Sequence, residues 1–276
     1  MHIHHLDCGC MCPLGGALYD GFSTGLRAHL VCHCLLLETA HDGLVLVDTG
    51  FGLRDMRQRG ARLSAFFRRL NNIRYDTALT AVAQVRRLGY QPDDVRHIVL
   101  THLDFDHAGG LEDFPRATVH LMERELKSAE ASTGFFGRRR FVPEQWKRVK
   151  RWQIYREQGE QWNGFNAVRT LRGLESEPLC LLPLAGHTLG HAGVAVQGPN
   201  GWLLHAGDAY FHRAEVRHAQ RHCPPGLRFY QWMMDTDGSA RRRNQQRLRH
   251  LSLSRPDIEL FCSHDALELK RLKQPA

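Results

Sequence analysis

Apolar residues along this chain gather into short runs that end on polar tips. LVCHCLLLET and GLVLVDTG read as neighbouring strands joined by the turn AHDG. VRHIVLTH and ATVHLM are two more strands, and EPLCLLPLAG, AGVAVQG, GWLLHAGD and DIELFCSHD follow downstream. Between them the period changes. DTALTAVAQVRRLG repeats its apolar residues every three or four positions and stops at Gly89, as a helix does. A polar helix is predicted from Glu123 to Ala131, and SARRRNQQRLRHLSL predicts a helix with Leu248 and Leu251 turned inward. Strands alternating with helices give an α/β class.

One stretch, about residues 134–173, follows no clean period. It holds Trp146, Trp152 and Trp162 among arginines and glycines, and a helix is expected near PEQWKRVKRW. With no repeat, low-complexity segment or linker, the economical expectation is a single domain over residues 1–276 carrying this segment as an aromatic and basic insertion. Large tryptophans bury against something. The insertion either covers a site and selects its substrate or forms a homodimer contact.

Composition narrows the class. Hydrophobic residues make up 42% and charged residues 24% of the 276, an ordinary globular balance. No apolar run approaches the roughly 18 residues of a membrane span. MHIHHLDCGC lacks the apolar core of a signal peptide, and a cytoplasmic location is expected. The net charge is +8, with basic blocks between Arg138 and Arg151 and in RRRNQQRLRH. Such blocks bind nucleic acid when they form a patch; at helical spacing they read first as a solvated helix face. Cys8, Cys10 and Cys12, like Cys32 and Cys34, are spaced by two, which on a strand places them on one side. Small buried thiols are the first reading; a second metal site or a redox pair is the other.

The chemistry lies at the strand tips. Asp48, the run THLDFDHAGG, His187, Asp208 and His264 each follow an apolar strand, and α/β folds build sites at such ends. His102 and Asp104 share one side of an extended loop while Leu103 and Phe105 face the core. So many carboxylates and imidazoles converging without a cation would repel one another and lose hydration. The mixed set suits Zn²⁺, iron or Mn²⁺. One metal takes three or four protein ligands, so seven candidates, His102, Asp104, Asp106, His107, His187, Asp208 and His264, suggest two metals.

HLDFDH, GHTLGH, GDAY and SHD, with VDTG upstream, resemble in order and spacing the metallo-β-lactamase-fold hydrolases, whose signature is H-x-H-x-D-H with a later histidine, aspartate and final histidine. The resemblance implies an αββα four-layer sandwich with a metal centre at one edge of two packed sheets. It implies one cation on His102, Asp104 and His187, another on Asp106, His107 and His264, and Asp208 bridging them. Asp48 would buttress the ligand loop and His191 would orient its surroundings. Asp104 departs from the histidine of the commoner motif. A carboxylate there favours Mn²⁺ or iron more than a third imidazole would, while zinc, which tolerates oxygen ligands, stays the first expectation.

The motif order, Tyr210 and the aromatic insertion resemble most the lactonase branch, which opens cyclic esters such as acyl-homoserine lactones with a metal-activated hydroxide. There a tyrosine near the bridging aspartate contacts the substrate carbonyl, and Asp106 would pass a proton to the leaving oxygen. For Tyr210 itself, a packed aromatic at the sheet edge is the competing reading. A small-molecule ester or lactone is the expected partner, and nucleic acid is not. The alternatives are a di-iron redox enzyme of the same fold, or a metal-dependent nuclease or phosphodiesterase.

Overall fold

The computed structural model describes residues 1–135, 137–157, 159–167 and 171–274. Its strands are β1 (His2–Met11), β2 (Leu30–Glu38), β3 (Leu44–Val47), β4 (Ile73–Arg74), β5 (Val95–Val99), β6 (Thr118–Met122), β7 (Trp152–Tyr155), β8 (Gln161–Trp162), β9 (Phe165–Asn166), β10 (Leu179–Pro183), β11 (Ala192–Gly198), β12 (Gly201–His205) and β13 (Ile258–Phe261). A seven-stranded sheet runs β4-β1-β2-β3-β5-β6-β7, a four-stranded sheet runs β10-β11-β12-β13, and β8 and β9 form a small hairpin.

Side chains alternate across each strand, and this sorts the core into layers. Leu35 and Leu37 of β2 lie opposite Val47 and Val45 of β3, and Leu36 opposite Leu46. The first four pack with Leu181, Val194, Val196 and Phe261 of the other sheet, filling the space between the sheets. Leu36 and Leu46 point the other way, onto a core that includes Phe67, Val82, Val85 and Leu227 from the flanking helices. The four-stranded sheet repeats the pattern: Cys180, Leu182 and Leu204 face away from the first sheet and meet Leu248 and Leu251 of the helix Gly238–Ser254. Helix, sheet, sheet and helix therefore stack in that order. Each fully buried aliphatic side chain contributes about 1.5–3 kcal/mol relative to exposure.

The strands read from the sequence are present, and so is the helix at Ala81–Arg87, capped where the Thr80 hydroxyl accepts from Ala83 N–H. The 134–173 segment differs from expectation. The helix expected near PEQWKRVKRW spans only Pro143–Trp146, after a short helix at Gly137–Arg140, and Trp152–Tyr155 instead pairs in parallel with β6. The open edge of β6 supplies hydrogen-bond partners that local propensity does not reveal. Nor do the three tryptophans gather at one place. Trp146 joins the core beneath the seven-stranded sheet and Trp152 packs at its margin. Trp162 meets Trp202 at a ring distance of 5.3 Å on the outer face of the other sheet. Trp146→Ala is thus expected to lower stability by about 3–5 kcal/mol, as large core truncations do. Denaturant titration checks this, and a loss below about 1 kcal/mol would contradict the packing.

Candidate metal centre

β3 and β5 run parallel, as do β12 and β13, and β10 enters the second sheet so that its C-terminal end lies at the same edge as that of β12. The loops leaving these strands carry the seven candidates, and all seven side chains are buried there.

Three of the four imidazoles, His102, His107 and His264, are aimed by their other ring nitrogen, as metal-binding histidines are, while His187 Nδ1 has no partner among the described residues. His107 Nδ1 is 2.8 Å from Asp48 Oδ2, and His102 Nδ1 is 2.9 Å from the Thr101 hydroxyl. His264 Nδ1 lies 2.7 Å from the Val31 carbonyl. Asp48 also accepts from Thr101 N–H and Oγ1 at 2.8 Å each, so it pins the loop and takes no place among the metal donors. It does so from a left-handed backbone, φ 57°, uncommon for a residue with a side chain. Burial pushes the Asp48 carboxyl up, but His107 outweighs it and holds the group at about 2. Its stabilisation is present above the ordinary carboxylate pKa of about 3.9 and is lost as pH falls towards about 2. Asp48→Ala is expected to cost about 3–5 kcal/mol, because it strands a buried partner; an unchanged urea midpoint would overturn this role.

His191 fixes Asp208 through the backbone: its Nδ1 is 3.1 Å from the Leu184 carbonyl, and its Nε2 accepts from Asp208 N–H at 2.8 Å. Gly207, at φ 55°, lets this happen, since a Cβ there would sit 2.4 Å from His191 Nε2.

What remains points inward. Nε2 of His102, Nε2 of His107 and Oδ1 of Asp208 are buried without a hydrogen-bond partner among the described residues. Donor atoms of these three residues lie within 4.8 Å of one another. His264 Nε2 is 3.2 Å from Asp208 Oδ2 and 3.7 Å from Asp106 Oδ2, and Cys32 forms a further cluster with Asp106 and His264. Burial and the neighbouring His107 lower His102 to about 4, leaving it neutral, the form that binds metal. At His107 burial is outweighed by the carboxylates of Asp208, Asp106 and Asp48, which raise its pKa and mark a place that attracts positive charge. Buried, orphaned nitrogen and oxygen donors of this kind fit a divalent cation.

Asp104 and His187 also come together with His102, but they are already engaged. Arg140 Nε donates to Asp104 Oδ1 at 2.7 Å, and its Nη2 reaches Asp104 Oδ2 at 2.5 Å and His187 Nε2 at 2.8 Å. Arg140, read from the sequence as part of a solvated basic block, is 3% exposed and lies inside the site.

The sequence profile of the metallo-beta-lactamase superfamily matches residues 28–264. The chain belongs to this superfamily. A probable metallo-hydrolase of Mycobacterium tuberculosis is 38% identical over 264 residues, covering 95% of this chain and 80% of that protein. An N-acyl homoserine lactonase of Bacillus thuringiensis subsp. kurstaki is 32% identical over 123 residues, 42% of this chain and 49% of that one. The structure of an N-acyl homoserine lactone hydrolase with N-hexanoyl-L-homoserine bound at its metal centre superimposes with a TM-score of 0.71 at 21% identity, covering 98% of this chain and 95% of that chain. At that identity the likeness establishes the fold. Family and donor set together make this a metal-binding hydrolase.

Within this metallo-beta-lactamase scaffold, Tyr210 is not presented to substrate. Its ring is fully buried in the outer core of the second sheet, and its hydroxyl donates to Glu268 at 3.2 Å. The packed-aromatic reading is the one the geometry favours. A second phenol, Tyr230 on the helix Pro225–Met234, packs its ring 5.9 Å from that of Phe211, and its pKa is raised by burial and by the charges of Asp106, Asp104 and Asp208. The sequence reading also passed over Glu125. Buried on the helix Glu123–Glu130, it accepts from Leu103 N–H at 3.0 Å, the Thr188 hydroxyl at 2.6 Å and Gly190 N–H at 3.1 Å, tying the two ligand loops together. It sits among Glu123, Arg124 and Lys127, so nothing in the sequence sets it apart from a solvated helix face.

Seven of the eight cysteines are buried. Cys10 Sγ lies 3.0 Å from Cys12 Sγ and 3.2 Å from His29 Nδ1, so the thiols in β1 do adjoin a potential ligand outside the centre.

Proposed function

We propose that this protein hydrolyses carboxylic ester or lactone bonds, of the acyl-homoserine-lactone kind, with a bound divalent metal, zinc first among the candidates. The observation that carries the reading is the inward set of orphaned donors, His102 Nε2, His107 Nε2 and Asp208 Oδ1, beside the buried Asp106 carboxyl and the Tyr230 phenol. Asp106, His107, Asp208 and His264, with His102, would hold metal. A bound divalent cation lowers the pKa of water towards neutrality and polarises a carbonyl oxygen.

The chain's own groups supply the remainder. Tyr230 stays protonated at neutral pH, because burial and three carboxylates oppose its ionisation. It can donate a hydrogen bond to the oxygen of the substrate carbonyl as negative charge grows there. Asp106 can accept the proton that water releases and return it to the alkoxide oxygen as the acyl C–O bond breaks. No serine nucleophile is required.

Tyr230→Phe is expected to reduce kcat by about 10²-fold, the scale of one lost oxyanion donor, with metal content unchanged. Tyr210→Phe should leave kcat within a factor of about two, since its hydroxyl serves Glu268. Steady-state kinetics on one lactone measures both, and the reverse ranking would return the substrate contact to Tyr210.

A further inference from the structure

Arg140 holds the donors that one of the two expected cations would need. Its guanidinium has five N–H groups, and each of its three nitrogens has a partner. Nε donates to Asp104 Oδ1 and Nη2 to Asp104 Oδ2, while Nη2 and Asp104 Oδ2 lie 2.8 and 3.0 Å from His187 Nε2. Nη1 donates to the Met234 carbonyl at 2.5 Å and the His187 carbonyl at 3.4 Å. The backbone is held as well, for Phe105 N–H donates to the Arg140 carbonyl at 3.1 Å and Asp104 pairs with Phe141 in an isolated bridge. Both charged side chains are 4% exposed. A buried, bidentate fork of this kind is a built pair and not a surface arm resting on a carboxylate.

The remaining donors behave differently. The unpartnered atoms His102 Nε2, His107 Nε2 and Asp208 Oδ1 gather with His264 and Asp106, and His102 Nε2, 3.4 Å from Asp104 Oδ2, is where this group adjoins Asp104 and His187. Asp104 and His187 Nε2 are supplied with a positive charge by the protein itself.

We propose that Arg140 takes the place of one of the two cations, so that the hydrolytic centre binds a single metal ion. This rests on the metal-dependent reading above. It also gives the unusual third position of HLDFDH a reason: a planar carboxylate matches a guanidinium in two parallel hydrogen bonds, which an imidazole cannot do. Arg140 is a positioning residue, because its nitrogens face Asp104, His187 and the Met234 carbonyl. It fixes Asp104 and His187 and supplies static positive charge beside the metal.

The test counts metal in a Cys10→Ser/Cys12→Ser background, so that the thiol and imidazole cluster at His29 adds nothing. Protein saturated with Zn²⁺ and freed of excess is expected to retain one ion per chain. Adding Arg140→Ala, which leaves Asp104 and His187 exposed to solvent cations, should raise the count to two. Two ions in both proteins, or one in both, would overturn the substitution of guanidinium for metal. Should Arg140→Ala fail to fold, Mn²⁺-loaded protein with Arg140 intact decides by electron paramagnetic resonance. An isolated six-line Mn²⁺ signal is expected, and an exchange-coupled pair would refute the proposal. A chain that binds no metal and hydrolyses no lactone would instead refute the reading it rests on, whereas two coupled ions with hydrolysis intact would refute the role of Arg140 alone.

Discussion

Asp208→Ala is expected to remove metal and turnover together. The carboxylate sits at the centre of the constellation, with Oδ2 3.2 Å from His264 Nε2 and Oδ1 3.4 Å from His107 Nε2, and Oδ1 lacks a hydrogen bond. Its backbone is clamped by His191, so no neighbour can move in to replace it. Truncation takes away a charged donor and leaves His107 and His264 without the carboxylate that both face. Turnover should fall by at least about 10³-fold, the upper range for losing one preorganised electrostatic group. Elemental analysis should show the metal bound at least tenfold more weakly. Asp208→Ala with full turnover and full metal content would remove Asp208 from the centre.

Stripping the metal is the second large perturbation. Asp106 and Asp208 are buried together, and burial and their mutual repulsion drive the Asp106 carboxyl upward. A cation binding only the folded chain stabilises it by about 4 kcal/mol when present at a thousand times its dissociation constant. For a chain of this size that corresponds to a fall in Tm on the order of 10 °C after chelation, reversed when Zn²⁺ is restored. Chelated and loaded protein melting at the same temperature would mean that the donors do not hold metal in the folded state.

The parts of this site that the sequence makes legible share one property: each is the polar end of an apolar strand. Asp48, His102, His187, Asp208 and His264 are signalled by the run before them, because an α/β sheet gathers such ends at one edge. Arg140 carries no such signal. It meets Asp104 across 36 positions, from a four-residue helix in a segment without a period, so only the tertiary structure pairs them. A buried carboxylate in need of a partner was legible, and the choice between metal and guanidinium was not. The proposal that Tyr230 takes the role first read for Tyr210 has a similar origin. Adjacency to Asp208 in sequence puts the Tyr210 ring into the core, where Glu268 takes its hydroxyl, while PGLRFYQWMM, unread as a helix, places Tyr230 where the charges of Asp106, Asp104 and Asp208 raise its pKa. The tryptophans of the 134–173 segment mislead because size predicts burial but not which layer receives it.

The measurement that bears most directly on the proposed activity is hydrolysis of a panel of lactones and esters by metal-loaded protein in heavy-oxygen water, with phosphodiesters and RNA as comparison substrates. Ring-opened acid carrying the heavy oxygen in its carboxylate, formed by loaded protein and lost on chelation, is the predicted result. Cleavage of phosphodiesters or RNA with the lactones and esters untouched would contradict it.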